Sequence, residues 1–432
     1  MTTDDATAIL REHVDTGLEA VGVTRGPVGN SHETWFVATK TAGGAAPDLV
    51  VRRTAAAGVL AWTEREREYA VLRALAGRGL PVPAALAVGV AERSFLVMER
   101  LPGSPPGRLS PEERAVLGRE LGTWLARLHA LDLGELGLAT GASAGDATLA
   151  QVRHYERLYR SARAAPVPLL GALLTWAGQN VPDDGTAPVV LWGDPGPHNI
   201  LVADGRVSAL LDWELAHAGH PLEDLGAAVW SCLGSLDPED VIAGYEEIAG
   251  PVDRPCLSYF IALASATRAV MLVNGTAAFA EGIVHSPATA ALGLELLALN
   301  LASGARAAGW GDLPPSDGLP PDFPLRPDPG ETAAGVGRWL LEDVVPELDD
   351  RRLRQMARRA AALLVTTAAR VPPPGGRDAA AAEAEAVAAE QAGGDPVLRS
   401  ALLADLAREL DRLEPLSRFH GHPAPFRNGA GP

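Results

Sequence analysis

Hydrophobic and polar positions along this chain change period several times, and those changes mark its elements. Near the start, Ile9, Leu10, Val14, Leu18 and Val21 recur close to helical spacing, which predicts an amphipathic helix over 4–20. VGVTRG, TWFVATK and DLVVRRT follow as three short β-rich runs separated by Gly, Asn, Ser and Ala turns, the pattern of antiparallel strands. A helix is predicted over 63–79, TEREREYAVLRALAGRG, stopped by Gly77 and Gly79. ALAVGV and SFLVMERL then supply two more strands. Residues 20–102 therefore predict a five-stranded sheet with one helix inserted after its third strand.

From residue 110 the period is helical. Ser110 and Glu113 form a capping box ahead of an apolar-periodic run, and further helices are predicted over 146–162 and 167–178. PVVLWGDPGPHNILV and VSALLDWEL break this pattern as two short apolar strands around a polar loop. Residues 221–308 read as helices, with breaks at Asp237-Pro238 and Gly250-Pro251. Residues 309–330 are dense in Pro, Gly and Asp, a composition that stiffens and solvates a chain without giving it a core, so they read as a linker. Three or four helices are predicted over 331–432, with a frayed tail from Ser417.

Composition narrows the classes. The 432 residues are 47% hydrophobic and 21% charged, which is globular, and the length suits more than one core. A formal net charge of −17 argues against nucleic acid or an anionic membrane as the main partner. Two cysteines, Cys232 and Cys256, give neither a disulfide framework nor a cysteine-built zinc site. The acidic start MTTDDATAIL lacks the regions of a signal peptide, and SYFIALASATRAVMLV, interrupted by Arg268, reads as a buried helix rather than a membrane span. A cytoplasmic protein is expected. Its cations include a single lysine, Lys40.

The chemistry-bearing stretch is 191–226. Asp194 and Asn199 share one loop, Asp212 ends a strand thirteen residues on, and Asp224 follows in GHPLEDLG. An Asp, an Asn five later and a second Asp after a hairpin suit phosphoryl transfer from a metal–nucleotide. One carboxylate orients the attacking hydroxyl and takes its proton, while the amide and the other carboxylate hold Mg²⁺ against the phosphates. Mg²⁺ asks for hard oxygen ligands and keeps waters, so two protein oxygens suffice.

W-G-D-P-G-P-H-N at 192–199 and D-W-E at 212–214 resemble the H-G-D-x-x-x-x-N loop and D-W-E hairpin of the aminoglycoside phosphotransferase family. That family is the small-molecule branch of the protein-kinase-like fold. The likeness covers about residues 5–305 and is closest to the phosphotransferase domain found fused to acyl-CoA dehydrogenases. It implies an α+β, bilobal protein-kinase-like fold: an N-lobe at 1–102 with the antiparallel five-stranded sheet, a mainly helical C-lobe at 103–308, the linker at 309–330, and a small all-α domain at 331–432. It implies ATP as phosphate donor, with GTP the alternative, Mg²⁺ as cofactor, and a small-molecule hydroxyl as acceptor.

By the same resemblance Asp194 is the catalytic base, Asn199 and Asp212 bind metal, and Asp224 braces the catalytic loop through its backbone. Asn30 and Ser31, in GNSHETW, fall in the nucleotide loop between the first two strands. Arg52 stands where protein kinases place a lysine, Glu68 where the following helix supplies that cation's partner, and Glu99 and Leu101 at the hinge whose backbone reads adenine. Trp192 replaces the His that ties the catalytic loop to the metal strand, and His220 stands where the family often has Asp.

Plainer readings stand beside these. Asp224 also suits a helix N-cap. Arg53 is the alternative to Arg52, since strand alternation sends the two side chains to opposite faces, and Glu64 or Glu66 the alternative to Glu68. GASAG at 141–145 imitates a serine-hydrolase motif without a strand before it. The pairs His217/His220 and His420/His422 lack an obvious third metal ligand. A rival function is a catalytically silent nucleotide-binding regulatory protein, motivated by Trp192.

Overall fold

The computed structural model describes residues 1–26, 32–54, 63–90, 93–138, 142–161, 166–232, 235–284, 287–311, 335–348 and 379–404, with isolated positions at 354, 357–358, 361, 364 and 406–407. Two compact units divide the chain, and both are discontinuous in sequence. One comprises residues 1–147 and 183–257, the other 148–182 and 258–432.

In the first unit, α1 (Thr3–His13) opens with a capping box: Thr2 Oγ1 accepts from the Asp5 amide, and the Asp5 carboxylate accepts from the Thr2 amide. The helix ends earlier than the apolar spacing suggests. Asp15 turns the chain, accepting from Gly17 N–H at 2.8 Å, and β1 (Glu19–Arg25) begins four residues later. With β2 (His32–Thr41), β3 (Gly44–Thr54), β4 (Ala85–Val90) and β5 (Ser94–Glu99) it forms a five-stranded antiparallel sheet in the order β1-β2-β3-β5-β4. Helix α2 (Arg65–Leu75) is inserted after β3, as expected, but is shorter than the run that encodes it. Ala6, Ile9 and Leu10 pack with Val37, Val51, Phe95 and Val97 to close one face of the sheet. The fold class is the kinase-like α+β arrangement expected.

The rest of this unit carries α3 (Pro111–His129), β6 (Val189–Leu191), the hairpin β7 (Ile200–Ala203) and β8 (Arg206–Leu210), β9 (His217–Gly219), α6 (Pro221–Ser231) and α7 (Pro238–Ala249). The capping box at Ser110 and Glu113 forms. Helices α3 and α7 cross so closely at Gly122 and Gly244 that a Cβ on either would collide with the other's backbone. Strand β6 pairs with β9, which fixes both ends of the polar loop segment on one short ladder.

The second unit is helical: α4 (Ala144–Ser161) from Thr148 on, α5 (Pro168–Gln179), most of α8 (Arg254–Ala280), α9 (Pro287–Ala307) and α10 (Ala379–Gln391). Tyr155, Tyr159, Leu169, Leu173, Val270 and Leu301 share one core with Ala386, Leu402 and Leu406. Helix α10 lies on α5, where Glu383 packs against Gly171 and accepts from Tyr159 Oη at 2.7 Å. Helix α8 is long and apolar enough to cross a membrane by length and composition, and 72% of its most apolar window is buried. The predicted linker lies largely outside the described residues, and the unit boundaries do not coincide with residues 102, 308 and 330.

Candidate active site

Strand β6 delivers Trp192 and Gly193 to a sharp turn, whose backbone amides would be orphaned without a partner. Asp224, buried in the first turn of α6, supplies it. Its Oδ2 accepts from Trp192 N–H at 2.7 Å and its Oδ1 from Gly193 N–H at 2.9 Å. A carboxylate taken out of water must be paired, and here His129 Nε2 lies 3.2 Å from Oδ2 while His129 Nδ1 meets Tyr245 Oη at 2.9 Å. Gly193 has φ +92°, and a Cβ there would collide with the Leu215 carbonyl. His220, the residue directly after β9, is the N-cap of α6, its Nδ1 accepting from Leu222 N–H at 3.1 Å.

Trp192 uses its single donor where the site needs one. The indole Nε1–H donates to the Leu211 carbonyl at 2.7 Å, tying the loop to the residue before Asp212, and the ring stacks on Trp213 at 5.6 Å between centroids. A second tie runs from Leu211 N–H to the Asn199 carbonyl at 2.8 Å. Within the loop, Asn199 Nδ2 donates to the Asp194 carbonyl at 2.9 Å and to Asp194 Oδ2 at 3.0 Å, and His198 Nε2 lies 3.1 Å from the same Oδ2. These bonds fix the carboxylate plane of Asp194. They also turn the Asn199 amide so that its nitrogen faces Asp194 and its oxygen faces away.

Asp212 ends the hairpin at φ +63°, one of two described non-glycine residues in the left-handed region. Its Oδ1 accepts from Arg52 Nη2 at 2.7 Å, and Arg52 Nη1 donates to Glu68 Oε1 at 2.7 Å. Strand alternation thus puts Arg52 toward α2 and the hairpin, while Arg53 lies on the other face, opposite Glu33 in the β2–β3 register. Glu68 is 1% exposed, whereas Glu64 and Glu66 are exposed. Lys40 sits at the far end of β2, half exposed, paired with Glu19 at 3.1 Å.

Further charges surround this pair. Arg65 joins Glu68 Oε2 through Nη1 and Glu214 Oε2 through Nη2, the latter at 2.6 Å; His32 Nε2 sits against Glu214 Oε2. Burial works against ionised Glu214, but His32, Arg52 and Arg65 outweigh it and bring its carboxyl down to about 2. Burial opposes charge on Arg52 too, and Asp212, Glu68 and Glu214 more than compensate, raising its pKa. Asp212 differs: burial, helped by Glu214 and Glu68, pushes its carboxyl up against the pull of Arg52. Three carboxylates, two guanidiniums and a histidine thus form one cluster that ends at Asp212. With the Asn199 oxygen turned outward, the donors there are hard oxygens, which fits Mg²⁺.

At the hinge, Glu99 N–H donates to the Ala84 carbonyl at 2.9 Å, and Leu101 follows half-buried at the crossing into α3's approach. Asn30 and Ser31 lie outside the described residues, as do His420 and His422. Ser143 of the GASAG segment caps α4, its Oγ accepting from Asp146 N–H at 3.0 Å. Asp184, His220 and Cys256 gather their side-chain ligand atoms within 4.8 Å. The Leu222 amide donates to His220 Nδ1, so a neutral ring carries its proton on Nε2, toward Asp184 at 3.2 Å, with no lone pair there for a metal.

Sequence reasoning missed Arg65, His32, His129 and Tyr245 and gave Glu214 no part. Arg65 hides inside ERERE, which reads as a solvated face, yet it is 1% exposed. The others are joined across long separations that no local pattern reports.

The chain belongs to the phosphotransferase enzyme family, which matches residues 22–260, more than half of its length. Over 175 residues it is 36% identical to acyl-CoA dehydrogenase family member 11 of Gallus gallus, covering 38% of this chain and 22% of that protein. Over 196 residues it is 30% identical to acyl-CoA dehydrogenase family member 10 of Mus musculus, covering 42% of this chain and 18% of that one. The chain thus spans about a fifth of the length of these relatives. A crystal structure assigned as an aminoglycoside phosphotransferase from Ralstonia eutropha JMP134 superposes with a TM-score of 0.56 at 24% identity, over 71% of this chain and 98% of that one. That likeness shows the fold.

Proposed function

We propose that this phosphotransferase moves the γ-phosphoryl group of ATP to the hydroxyl of a small molecule, with Mg²⁺ held by Asn199 and Asp212. The observation that carries the reading is Arg52, whose guanidinium spans Glu68 and Asp212 at 2.7 Å each, beside a loop that presents Asp194. Asp194 takes the proton of the attacking hydroxyl, held in plane by Asn199 and His198. Arg52 grips the phosphates as a fork that cannot lose its charge. Bound Mg²⁺ would neutralise developing phosphate charge. Asn30 and Ser31 would approach the phosphates through their backbone, and Glu99 and Leu101 would read the base; GTP is the alternative donor.

The relatives carry acyl-CoA dehydrogenase names, which favours a hydroxylated acyl thioester or similar metabolite as acceptor, with an aminoglycoside second. The silent-binder reading loses its motive, because Trp192 makes the tie from loop to metal strand that its replacement put in question. The test is ADP release from ATP and Mg²⁺ against hydroxyacyl thioesters, hydroxy acids and aminoglycosides, with Asp194→Asn as control. Turnover on one class, reduced on the order of 10²–10⁴-fold in the control, supports the reading. ADP binding without turnover on any class would favour the silent binder.

A further inference from the structure

The ion pairs around the site close into a ring. Asp212 holds Arg52, Arg52 holds Glu68, Glu68 holds Arg65, and Arg65 holds Glu214, which is two residues from Asp212 on the same hairpin. Each guanidinium uses one nitrogen per carboxylate, and Glu68 gives one oxygen to each arginine. The ring therefore joins β3, α2 and the hairpin. His32 at the start of β2 and Thr63 Oγ1, 3.2 Å from Glu214 Oε2, back its far corner.

Two members of this ring are assigned to ligands by the proposed function, and those ligands would compete with the bond between them. With phosphate on Arg52 Nη2 and Mg²⁺ on Asp212, the Arg52–Asp212 link would open. What still joins α2 to the hairpin is Glu68–Arg65–Glu214. Arg65 cannot itself touch the nucleotide, because its side chain has no exposed surface.

We propose that Arg65 is a positioning residue. It holds Glu68 and Glu214 at a fixed separation, so that α2 and the metal hairpin keep their register after Asp212 exchanges Arg52 for the cation. A planar fork with two engaged nitrogens sets the separation of two carboxylates; an ammonium can bond both but fixes no such spacing. Removing Arg65 leaves two buried carboxylates without their shared cation and lets the hairpin drift from α2. The inference rests on the phosphotransferase reading, and its readout is metal-dependent nucleotide binding rather than turnover.

The experiment is calorimetric titration of ADP into the full chain with and without Mg²⁺. The wild type is expected to gain affinity when Mg²⁺ is added. Arg65→Met should lose about tenfold or more of that gain, the scale on which residues behind a metal ligand act, while metal-free ADP affinity changes little. Arg65→Lys should recover only part. A general loosening of the fold would lower both affinities together, and that outcome overturns the proposal, as does a full Mg²⁺-dependent gain in Arg65→Met. Absence of any gain in the wild type would instead overturn the phosphotransferase reading, and the inference with it. If Arg65→Met does not fold, the double variant Arg65→Met/Glu214→Gln removes the uncompensated charge. The same loss is expected there, and a retained gain overturns the proposal.

Discussion

Glu68, buried, and Glu383, half-buried, solve the same problem in different ways. Glu68, on α2, lies between two guanidiniums, one on each carboxylate oxygen. Glu383, on α10, has a tyrosine: Tyr159 Oη donates to it at 2.7 Å and accepts from Val167 N–H at 2.6 Å. Burial raises the Glu383 carboxyl above its ordinary value of 4.5, against the hydrogen bonds of Tyr159 and Val167 and the weaker pull of Arg160. A charge kept inside a protein costs several kcal/mol unless it is paired, so keeping three carboxylates in one cluster calls for a reason beyond packing. At Glu68 the reason is a cation that must be aimed. At Glu383 a carboxyl that burial pushes upward does the structural task of joining α10 to the turn before α5.

The contrast breaks first at the arginines. Arg52→Ala should lower turnover on the order of 10²-fold or more, as loss of a preorganised charge donor does, and Arg52→Lys should recover only part. Arg53→Ala, on the opposite face, should change kcat by less than about threefold in protein that remains folded. Equal effects at both positions, in steady-state rates, would move the phosphate grip elsewhere.

A stability effect comes next. Ending the chain at Gly311 would strip Ala386, Leu402 and Leu406 from the core they share with Leu169 and Leu301. Burial of a Leu is worth roughly 1.5–3 kcal/mol, so the shortened chain should melt many degrees lower or fail to express as soluble protein. An unchanged Tm by differential scanning calorimetry would show residues 331–432 to be an independent bundle.

The smallest effect is at Glu383. Its folded pKa is raised, so its stabilising contribution is complete below the ordinary 4.5 and is lost as pH climbs through the folded value. Glu383→Gln should therefore raise Tm by about 1–3 °C near pH 7, with the advantage vanishing below pH 4.5. A Tm difference that is constant across pH, or a loss at pH 7, would mean that the ionised form is the one the fold prefers.

How far the chain could be read from its letters follows the same division. Asp194, Asn199 and Asp212 stand out because loop and hairpin impose a fixed local spacing; strand parity says only that Arg52 and Arg53 face opposite ways, and the family resemblance points to Arg52. Glu68 followed from helical spacing to Val71, Leu72 and Leu75. Arg65 did not, because in ERERE only its partners, 3 and 149 residues away, reveal that it is buried. Helix α10 was likewise opaque. Its Ala/Glu run carries almost no periodic signal, and its anchor lies 224 residues away at Tyr159. Long-range ion pairs and small-residue helix contacts leave no period in the sequence, and they are what join these elements.

The central claim is that Asp212 serves the metal while Asp194 serves the proton. It is tested most directly by titrating ADP, with and without Mg²⁺, into Asp212→Asn and Asp194→Asn. The account predicts that Asp212→Asn loses most of the Mg²⁺-dependent gain in affinity and that Asp194→Asn keeps it while losing turnover. Equal loss of that gain in both variants, or its full retention in Asp212→Asn, would contradict the account.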